Sequence, residues 1–279
     1  AAVPVFWVEA EDHDWEEVRT ATVLDRDFTV ASLTLHALEG AGERPVGSLK
    51  LDAGIDQMIS ALEQLLAPTE FTTEVLGTLR RRYADGAPLG TACAGWFDDL
   101  LGRHGLVVFE SNDPAAKPAA ADLFARELAN PSRAAALVAE SAAEMSRLGH
   151  APQVEPAADA VCLFYVSDAG RQPIKRQGAD YLIGETVRPA SDLAAEASAH
   201  PERFSPNVLL RPLVQDRLFP TVCYVGGPSE LAYQAELGPL YREMGVERPL
   251  LASRTSATLV DSAAGRFLDR HDVPYEAFQ

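Results

Sequence analysis

The sequence predicts an α/β protein in which a mostly parallel sheet has helices on both faces, with helical and small antiparallel β inserts. Apolar runs of strand length alternate with segments of helical periodicity, which is the pattern of a parallel sheet covered by helices. At 279 residues the chain is long enough to bury a full core. Its 47% hydrophobic and 23% charged residues are ordinary proportions for a globular protein.

Composition excludes several classes of partner. The net charge of −17 argues against general binding of nucleic acids and of anionic membranes, because both need clustered lysine and arginine. The apolar runs fall short of the roughly 20 residues of a membrane helix, and no signal peptide is evident. Cys93, Cys162 and Cys223 stand far apart without a CxxC pair, which is typical of buried thiols in a reducing compartment. We therefore expect a cytoplasmic protein without a metal site.

Short apolar runs mark the predicted strands, and Asp14 with Glu17 marks the start of a helix after the first of them. The strands are predicted at Val3–Val8, Phe28–Leu35, Val46–Leu51, Leu106–Phe109, Val161–Ser167, Gln172–Gln177, Tyr181–Ile183, Thr221–Val225 and Pro249–Ser253. Apolar residues at helical spacing dominate from residue 55 to residue 148, and further helices are predicted at Ser191–His200 and Ser229–Met244.

The chain is interpreted as one α/β catalytic core over residues 1–279, interrupted by two inserts. Residues 52–104 are predicted to form a helical insert. Residues 157–188 are predicted to form an antiparallel β insert, because Asp168-Ala-Gly170 separates two strand-like runs as a hairpin turn does. The first predicted strand begins abruptly at Val3, and we expect that a preceding segment lies outside this sequence.

Polar residues follow several predicted strands at their carboxyl ends, where open parallel sheets bind ligands. They are Glu9, Glu11, Asp12, His13 and Asp14 after the first strand, Glu110, Ser111 and Asp113 after a second, Gly226 and Gly227 after a third, and Arg254 after a fourth. We expect the loop around His13 and the double-glycine turn to open onto the same hollow.

His13 is the sharpest candidate for chemistry. A histidine flanked by Asp12 and Asp14 can be held in one orientation for acid–base catalysis. The same residue types could bind a divalent cation. Acidic residues also favour a helix N-terminus electrostatically, and this interpretation is preferred for Asp14, Glu16 and Glu17. For Asp12 and His13, a functional role and this electrostatic role both remain open.

Two further patterns suggest anion binding. The missing side chains of Gly226 and Gly227 would let backbone N–H groups approach an anion. Asn207 and Arg211 would share one helix face if the chain is helical after Pro206, and Arg211 could clamp a carboxylate or phosphate, or simply pair with an acid. Neither a GxGxxG fingerprint nor a Walker A loop occurs, so a dinucleotide oxidoreductase and a P-loop NTPase are both disfavoured.

Five segments are distinctive in combination and run in order along nearly the whole chain. They are Val3–Val18, Phe109–Pro114, Phe204–Pro212, Val225–Tyr233 and Pro249–Leu259. Together they resemble the cysteine-adding enzymes of bacillithiol synthesis. The resemblance implies a Rossmann-like core in a cytoplasmic homodimer that adds L-cysteine to glucosaminyl-malate. The family's glycine-rich N-terminal segment and its C-terminal coiled coil, which carries the dimer contact, have no counterpart in this sequence.

The implied reaction is the formation of an amide bond, so we expect a ligase. The acid–base group would be His13 assisted by Asp12 or Asp14. The residues expected to bind substrate are Glu11, Ser111, Asn207, Arg211, Gly226, Gly227, Tyr233 and Arg254. The carboxylate needs activation, for which ATP is a candidate donor, but no standard nucleotide motif is present and the cofactor stays open.

Two alternatives remain at this point. A nucleotidyltransferase related to class I synthetase cores would activate another carboxylic acid, but its expected HxGH-type pair is not evident. A non-catalytic ligand-binding module would keep the fold without the reaction.

Overall fold

A computed structural model describes residues 2–130, 132–157 and 160–278, and it confirms the α/β class. The strands are β1 (Val5–Val8), β2 (Thr20–Leu24), β3 (Val30–Thr34), β4 (Val107–Glu110), β5 (Ala160–Ser167), β6 (Gly170–Gln177), β7 (Asp180–Ile183), β8 (Thr186–Arg188), β9 (Phe204–Pro206), β10 (Cys223–Gly226) and β11 (Leu250–Ser253). The α-helices are α1 (Trp15–Val18), α2 (Gly54–Leu65), α3 (Thr72–Arg82), α4 (Leu89–Leu101), α5 (Ala121–Ala129), α6 (Arg133–Arg147), α7 (Ala190–Ala199), α8 (Arg211–Leu218), α9 (Pro228–Glu236), α10 (Gly238–Met244) and α11 (Ser262–His271).

Parallel strands form two pairs in the described part of the chain. β1 pairs with β4 from Val5 opposite Val107 to Val8 opposite Glu110. β10 pairs with β11 in the same parallel sense. Phe219, just after α8, packs its ring 5.1 Å from that of Phe109 on β4. The residue after α8 therefore packs against β4, and Arg211, the first residue of α8, lies 3.8 Å from Glu9, just after β1.

The antiparallel strands form a larger sheet in the order β8-β7-β6-β5-β9. The predicted hairpin at Asp168–Gly170 is confirmed as the β5–β6 turn. A hydrophobic core that includes Leu163, Tyr181 and Phe204 packs this sheet against surrounding helices. A second core, which includes Trp15 and Ile59, lies among α2, α3 and α4.

One local prediction was confirmed with shorter bounds, as β3, and two others were wrong for physical reasons. The predicted strand Phe28–Leu35 is one arm of the β2–β3 hairpin, and Phe28 lies in its turn with φ +58°. The predicted strand Val46–Leu51 begins with a 3₁₀ turn at Val46–Ser48, because its amides bond to loop carbonyls after β1 rather than to a strand. The predicted helix Ser229–Met244 is divided into α9 and α10, with Pro239 in the first turn of α10.

Of the cysteines, only one matches the expectation of a fully buried thiol. Cys162 is buried, Cys93 is half-buried and Cys223 is exposed. Cys223 begins β10, whose outer face is open. In the described residues, no helix has both the length and the apolar character needed to cross a bilayer.

Candidate active site

Glu9, the residue after β1, joins the carboxyl ends of two neighbouring parallel strands. The Ser111 hydroxyl, just beyond β4, donates to Glu9 Oε1 (3.0 Å) and accepts the amide of Ala10 (2.8 Å). The second carboxylate oxygen accepts a hydrogen bond from Trp7 Nε1 (3.1 Å). Ser111 is buried, and its hydroxyl both donates and accepts within the protein. Ser111 therefore holds β1 and β4 together at this edge.

Arg211 connects the Glu9 carboxylate to the helix that follows the double-glycine turn. Its Nε lies 3.8 Å from Glu9 Oε2, and its Nη2 donates to the hydroxyl of Tyr233 (2.8 Å). A second hydrogen bond runs from Nη1 to Gln215 Oε1 (3.2 Å). Tyr233 lies on α9, which begins directly after Gly227. The loop after β1 and the double-glycine turn are thus joined by a short path of polar contacts.

Neighbouring side chains approach both residues of the double-glycine turn closely. A Cβ atom at Gly227 would lie 2.9 Å from Arg254 Nη2, and one at Gly226 would lie 2.8 Å from Tyr224 Cε1. The amide of Gly227 donates to Glu230 Oε2 (2.7 Å), and the other oxygen of that carboxylate accepts the Tyr224 hydroxyl (2.9 Å). The amide that the sequence suggested for an anion is therefore bonded within the protein.

Arg254 is an exposed cation at the same edge. Its amide donates to Gly226 O (2.8 Å), and its guanidinium packs against Gly227. Among the described residues the guanidinium has no acid or acceptor within hydrogen-bond distance. The exposed guanidinium is therefore accessible to an anionic group of a ligand.

Glu11 and Lys117 form a buried ion pair below the His13 loop. Both side chains are shielded from solvent, and Lys117 Nζ donates to the Glu11 carboxylate and to Phe204 O (3.2 Å). Burial raises the pKa of Glu11 to about 7, although the Lys117 charge opposes that rise. Glu11 is thus committed to Lys117 in this structure rather than presented to a ligand.

Asp12 and His13 meet Arg171, which comes from β6 in the antiparallel sheet. His13 Nδ1 lies 3.0 Å from Arg171 Nη1 and 3.3 Å from Asp12 Oδ1. Arg171 Nη1 also lies 3.4 Å from Asp12 Oδ1. Asp12 and His13 are partly exposed, so this group combines a buried cation with two solvent-accessible polar side chains.

Two predicted site residues have capping roles. The Asp14 carboxylate accepts the amide of Glu17 (3.2 Å) at the start of α1, as the helix-terminus interpretation predicts. Asn207 Oδ1 accepts the amides of Leu209 (3.0 Å) and Leu210 (3.3 Å) just before α8. Because residues 204–206 form β9 and α8 begins at Arg211, Asn207 and Arg211 do not share a helix face.

A polar hollow of about 380 Å³ lies beside the Glu11–Lys117 pair. Its wall includes Arg44, Asn112 and Asp168. The volume lies within the usual range for a small-molecule site. This hollow is bounded by the loop after β1 and by the turn between β5 and β6.

A second cavity, of about 350 Å³, lies among α2, α3, α4 and the β2–β3 hairpin. Its lining is mostly apolar and includes Met58, Tyr83 and Cys93. Burial raises the pKa of the Cys93 thiol, which makes it a poor nucleophile. The polar hollow is lined by charged side chains that include Glu11 and Lys117, but neither His13 nor the double-glycine turn lines either of these two cavities. The two cavities therefore do not support the expectation that the His13 loop and the double-glycine turn open onto the same hollow.

The sequence analysis missed two residues that organise this region, Lys117 and Arg171. Glu9 was named with its neighbours after the first strand but was not given a role. Lys117 is one of only three lysines in the sequence, which is a weak signal. Arg171 lies in a hairpin 158 residues from His13, and no local pattern connects the two.

No group of three or more His, Cys, Asp or Glu side chains within residues 2–130, 132–157 and 160–278 has the geometry to hold a metal ion.

Comparison with known families identifies the chain. A family model described as "Bacillithiol biosynthesis BshC, N-terminal Rossmann-like domain" matches residues 1–255. The chain belongs to the BshC family. Membership confirms the resemblance given by the five segments, and it confirms the Rossmann-like α/β class.

Relatives named "Putative cysteine ligase BshC" match almost the whole chain. The protein from Koribacter versatilis (strain Ellin345) is 33% identical over 275 residues, covering 98% of this chain and 51% of the relative. That from Salinibacter ruber (strain DSM 13855 / M31) is 36% identical over 282 residues, covering 99% and 51%. That from Symbiobacterium thermophilum is 34% identical over 288 residues, covering 97% and 51%. The chain spans about half the length of these BshC relatives.

Proposed function

We propose that this BshC chain is the catalytic α/β core of a cytoplasmic ligase that joins L-cysteine to glucosaminyl-malate through an amide bond. The observation that supports it best is the polar path from Glu9 through Arg211 to Tyr233, which links two parallel strand pairs at the edge where such sheets bind ligands. The names of the BshC relatives supply the reaction class.

The reaction makes two demands. The carbon–nitrogen bond forms between the cysteine carboxyl carbon and the amine of glucosaminyl-malate, and one carboxyl oxygen leaves with the activating group. An ATP donor would supply the phosphoryl or adenylyl group that makes this oxygen a leaving group. The double-glycine turn does not fit the phosphates of ATP, because the Gly227 amide is bonded to Glu230. We therefore assign no activation step to these residues.

The second demand is removal of a proton from the amine before it attacks. His13 is the proposed base and Asp12 its orienting partner. In that role Nδ1–H donates to Asp12, and Nε2 accepts the proton of the amine. In the structure Nδ1 lies 3.0 Å from Arg171 Nη1 and 3.3 Å from Asp12 Oδ1, so this role requires Nδ1 to give up the contact with Arg171.

The remaining predicted residues fall into two groups, those proposed to contact the substrate and those whose polar atoms already bond within the protein. Arg254 is proposed to bind a malate carboxylate, because its guanidinium is exposed and meets no acid among the described residues. Arg211 and Tyr233 are proposed to border the substrate. Ser111 and Asn207 are proposed to hold the loops, since their polar atoms bond within the protein.

The proposal is tested by incubating the full-length protein with cysteine and glucosaminyl-malate, with and without ATP, and weighing the products. We expect the mass of the cysteine adduct. His13→Ala should lower turnover by about 10²–10⁴-fold, the usual contribution of a positioned acid–base group. His36→Ala is the matched control, because His36 is exposed and pairs with Asp52 (2.7 Å) away from this edge.

Each result has a clear meaning. Equal turnover in His13→Ala and the wild type removes His13 from the mechanism. Consumption of ATP that ignores the sugar favours the synthetase-like alternative. Absence of both reactions favours a binding module.

A further inference from the structure

Arg171 reaches the His13 loop from the antiparallel sheet and is fixed on several sides. Its Nε donates to Ser205 Oγ (3.0 Å), and its Nη2 donates to Pro206 O (3.1 Å). The guanidinium carbon lies 3.6 Å from the ring centroid of Phe164, a cation–π contact. Only 6% of the side chain is exposed. The position of Nη1 is therefore set by β5, β6 and β9, and not by His13.

The chemistry of arginine restricts what His13 can do beside it. A guanidinium carries only donors and keeps its charge in proteins, so Nη1 cannot accept a proton from an imidazole N–H. At 3.0 Å from Arg171 Nη1, the Nδ1 atom of His13 has to be the acceptor. In a neutral ring the proton then resides on Nε2.

Asp12 favours the opposite tautomer. Its Oδ1 lies 3.3 Å from the same Nδ1 atom and accepts hydrogen bonds only, so it would stabilise a proton on Nδ1. Arg171 therefore competes with Asp12 for one ring nitrogen. The distance to Arg171 is the shorter, and the Asp12 carboxylate is also engaged by the amide of His13 (2.7 Å).

We propose that Arg171 is a positioning residue that holds His13 in the Nε2–H tautomer through the contact between Nη1 and Nδ1. The antiparallel sheet thereby contributes to the chemistry of a loop on the parallel sheet. This assignment depends on the contacts of this chain alone. What it means for catalysis rests on the proposed function. Before Nε2 can accept a proton from the amine, the ring proton has to move to Nδ1, and Nδ1 has to replace its contact with Arg171 by a hydrogen bond to Asp12.

The tautomer is directly measurable by long-range ¹H–¹⁵N correlation spectroscopy on the chain labelled with ¹⁵N-histidine, in mildly alkaline buffer where imidazoles are neutral. The sequence has six histidines, and the signals lost in His13→Gln assign residue 13. We expect an unprotonated Nδ1 and a protonated Nε2. In Arg171→Met the proton should move to Nδ1 in more than half of the molecules, because Asp12 becomes the remaining partner.

Controls separate this effect from a general disturbance. Arg176 lies on the same strand, and its guanidinium donates a hydrogen bond to Gly178 O (3.1 Å). The Arg176→Met variant should leave the tautomer of His13 unchanged. Asp12→Asn should also leave the Nε2–H tautomer in place, since Arg171 is still present. A folded spectrum of Arg171→Met is checked by its resolved amide signals.

The proposal is overturned by a protonated Nδ1 in the wild type, or by an Nε2–H tautomer that persists in Arg171→Met. If Arg171→Met does not fold, the wild-type and Asp12→Asn spectra still decide, because a proton on Nδ1 in either contradicts the assignment. Catalysis is not needed for any of these measurements. The tautomer assignment can therefore be correct even if the ligase proposal fails, and the ligase proposal can be correct even if the tautomer assignment fails.

Discussion

The Glu11–Lys117 pair shows how burial at a single residue makes stability depend on pH. Burial raises the pKa of Glu11 from 4.5 to about 7, so the folded chain binds a proton more readily than the unfolded chain. Ionisation of Glu11 therefore costs stability as the pH rises through this window, and the full cost is present above pH 7. The nearby charge of Lys117 reduces that cost.

Removal of Lys117 should reveal the free-energy cost of ionising Glu11 inside the protein. We expect Lys117→Met to lower the free energy of unfolding by about 3–5 kcal/mol near pH 8, the usual penalty for leaving one buried charge alone. The loss should be smaller near pH 5, where Glu11 takes up a proton. Urea denaturation at both pH values measures it, and Lys175→Met, at an exposed lysine, is the control.

A double variant, Glu11→Gln with Lys117→Met, should recover part of the stability because it leaves no unpaired charge. Equal losses at the two pH values would show that Glu11 is not the group responsible.

At the residue scale, the sequence identified positions better than partners. Glu11 and Asp12 were found because they follow an apolar run of strand length, which is a local pattern. Lys117 lies 106 residues from Glu11, and Arg171 lies 159 residues from Asp12. Such pairings arise from the packing of distant elements, and one sequence contains no signal for them.

At the scale of elements, the β5–β6 turn determines where Arg171 stands. Gly170 has φ +98°, and a Cβ atom there would lie 2.4 Å from the carbonyl oxygen of Glu43. The amide of Arg171 donates to the same oxygen (2.9 Å). The turn is thus fixed against the segment that also holds the loop after β1.

Two glycines of this sheet form a matched pair for testing that contact. Gly178→Ala places a Cβ atom in open space at φ +65° and should cost about 1 kcal/mol through backbone strain. Gly170→Ala should cost a further ~1–3 kcal/mol, because the backbone of one segment has to move. Urea denaturation of both variants gives the difference. Similar losses would mean that the Glu43 contact contributes little.

Elements were predicted where the signal is local. The β5–β6 hairpin followed from two strand-like runs on either side of Asp168-Ala-Gly170. The segment at Val46 was mistaken for a strand because its apolar character reflects packing against Ala10, where the Gly47 position leaves no space for a Cβ atom. Such contacts between loops have no period in the sequence.

For the whole molecule, the parallel strands that carry the candidate site are less buried than the antiparallel sheet. On β10 and β11, Val225 and Leu250 are 61% and 75% exposed. On β5 and β7, Leu163 and Tyr181 are each 1% exposed. Parallel sheets usually have both faces covered. Because Val225 and Leu250 are exposed, apolar burial contributes little to the stability of the β10–β11 pair.

Local opening should therefore be cheaper at the site than in the antiparallel core. We expect the hydrogen-bonded amides of β10 and β11 to exchange with solvent at least ~10-fold faster than those of β5 and β6, a difference of ~1.4 kcal/mol in opening free energy. Hydrogen-exchange mass spectrometry or NMR on this chain measures both sets. Leu250→Ala should cost less than about 0.5 kcal/mol, whereas Leu163→Ala should cost about 2–5 kcal/mol. Equal protection of the two sheets, together with equal losses in the two variants, would mean that the open strands are held by something other than apolar burial. The polar path through Arg211 would then be the first contact to remove.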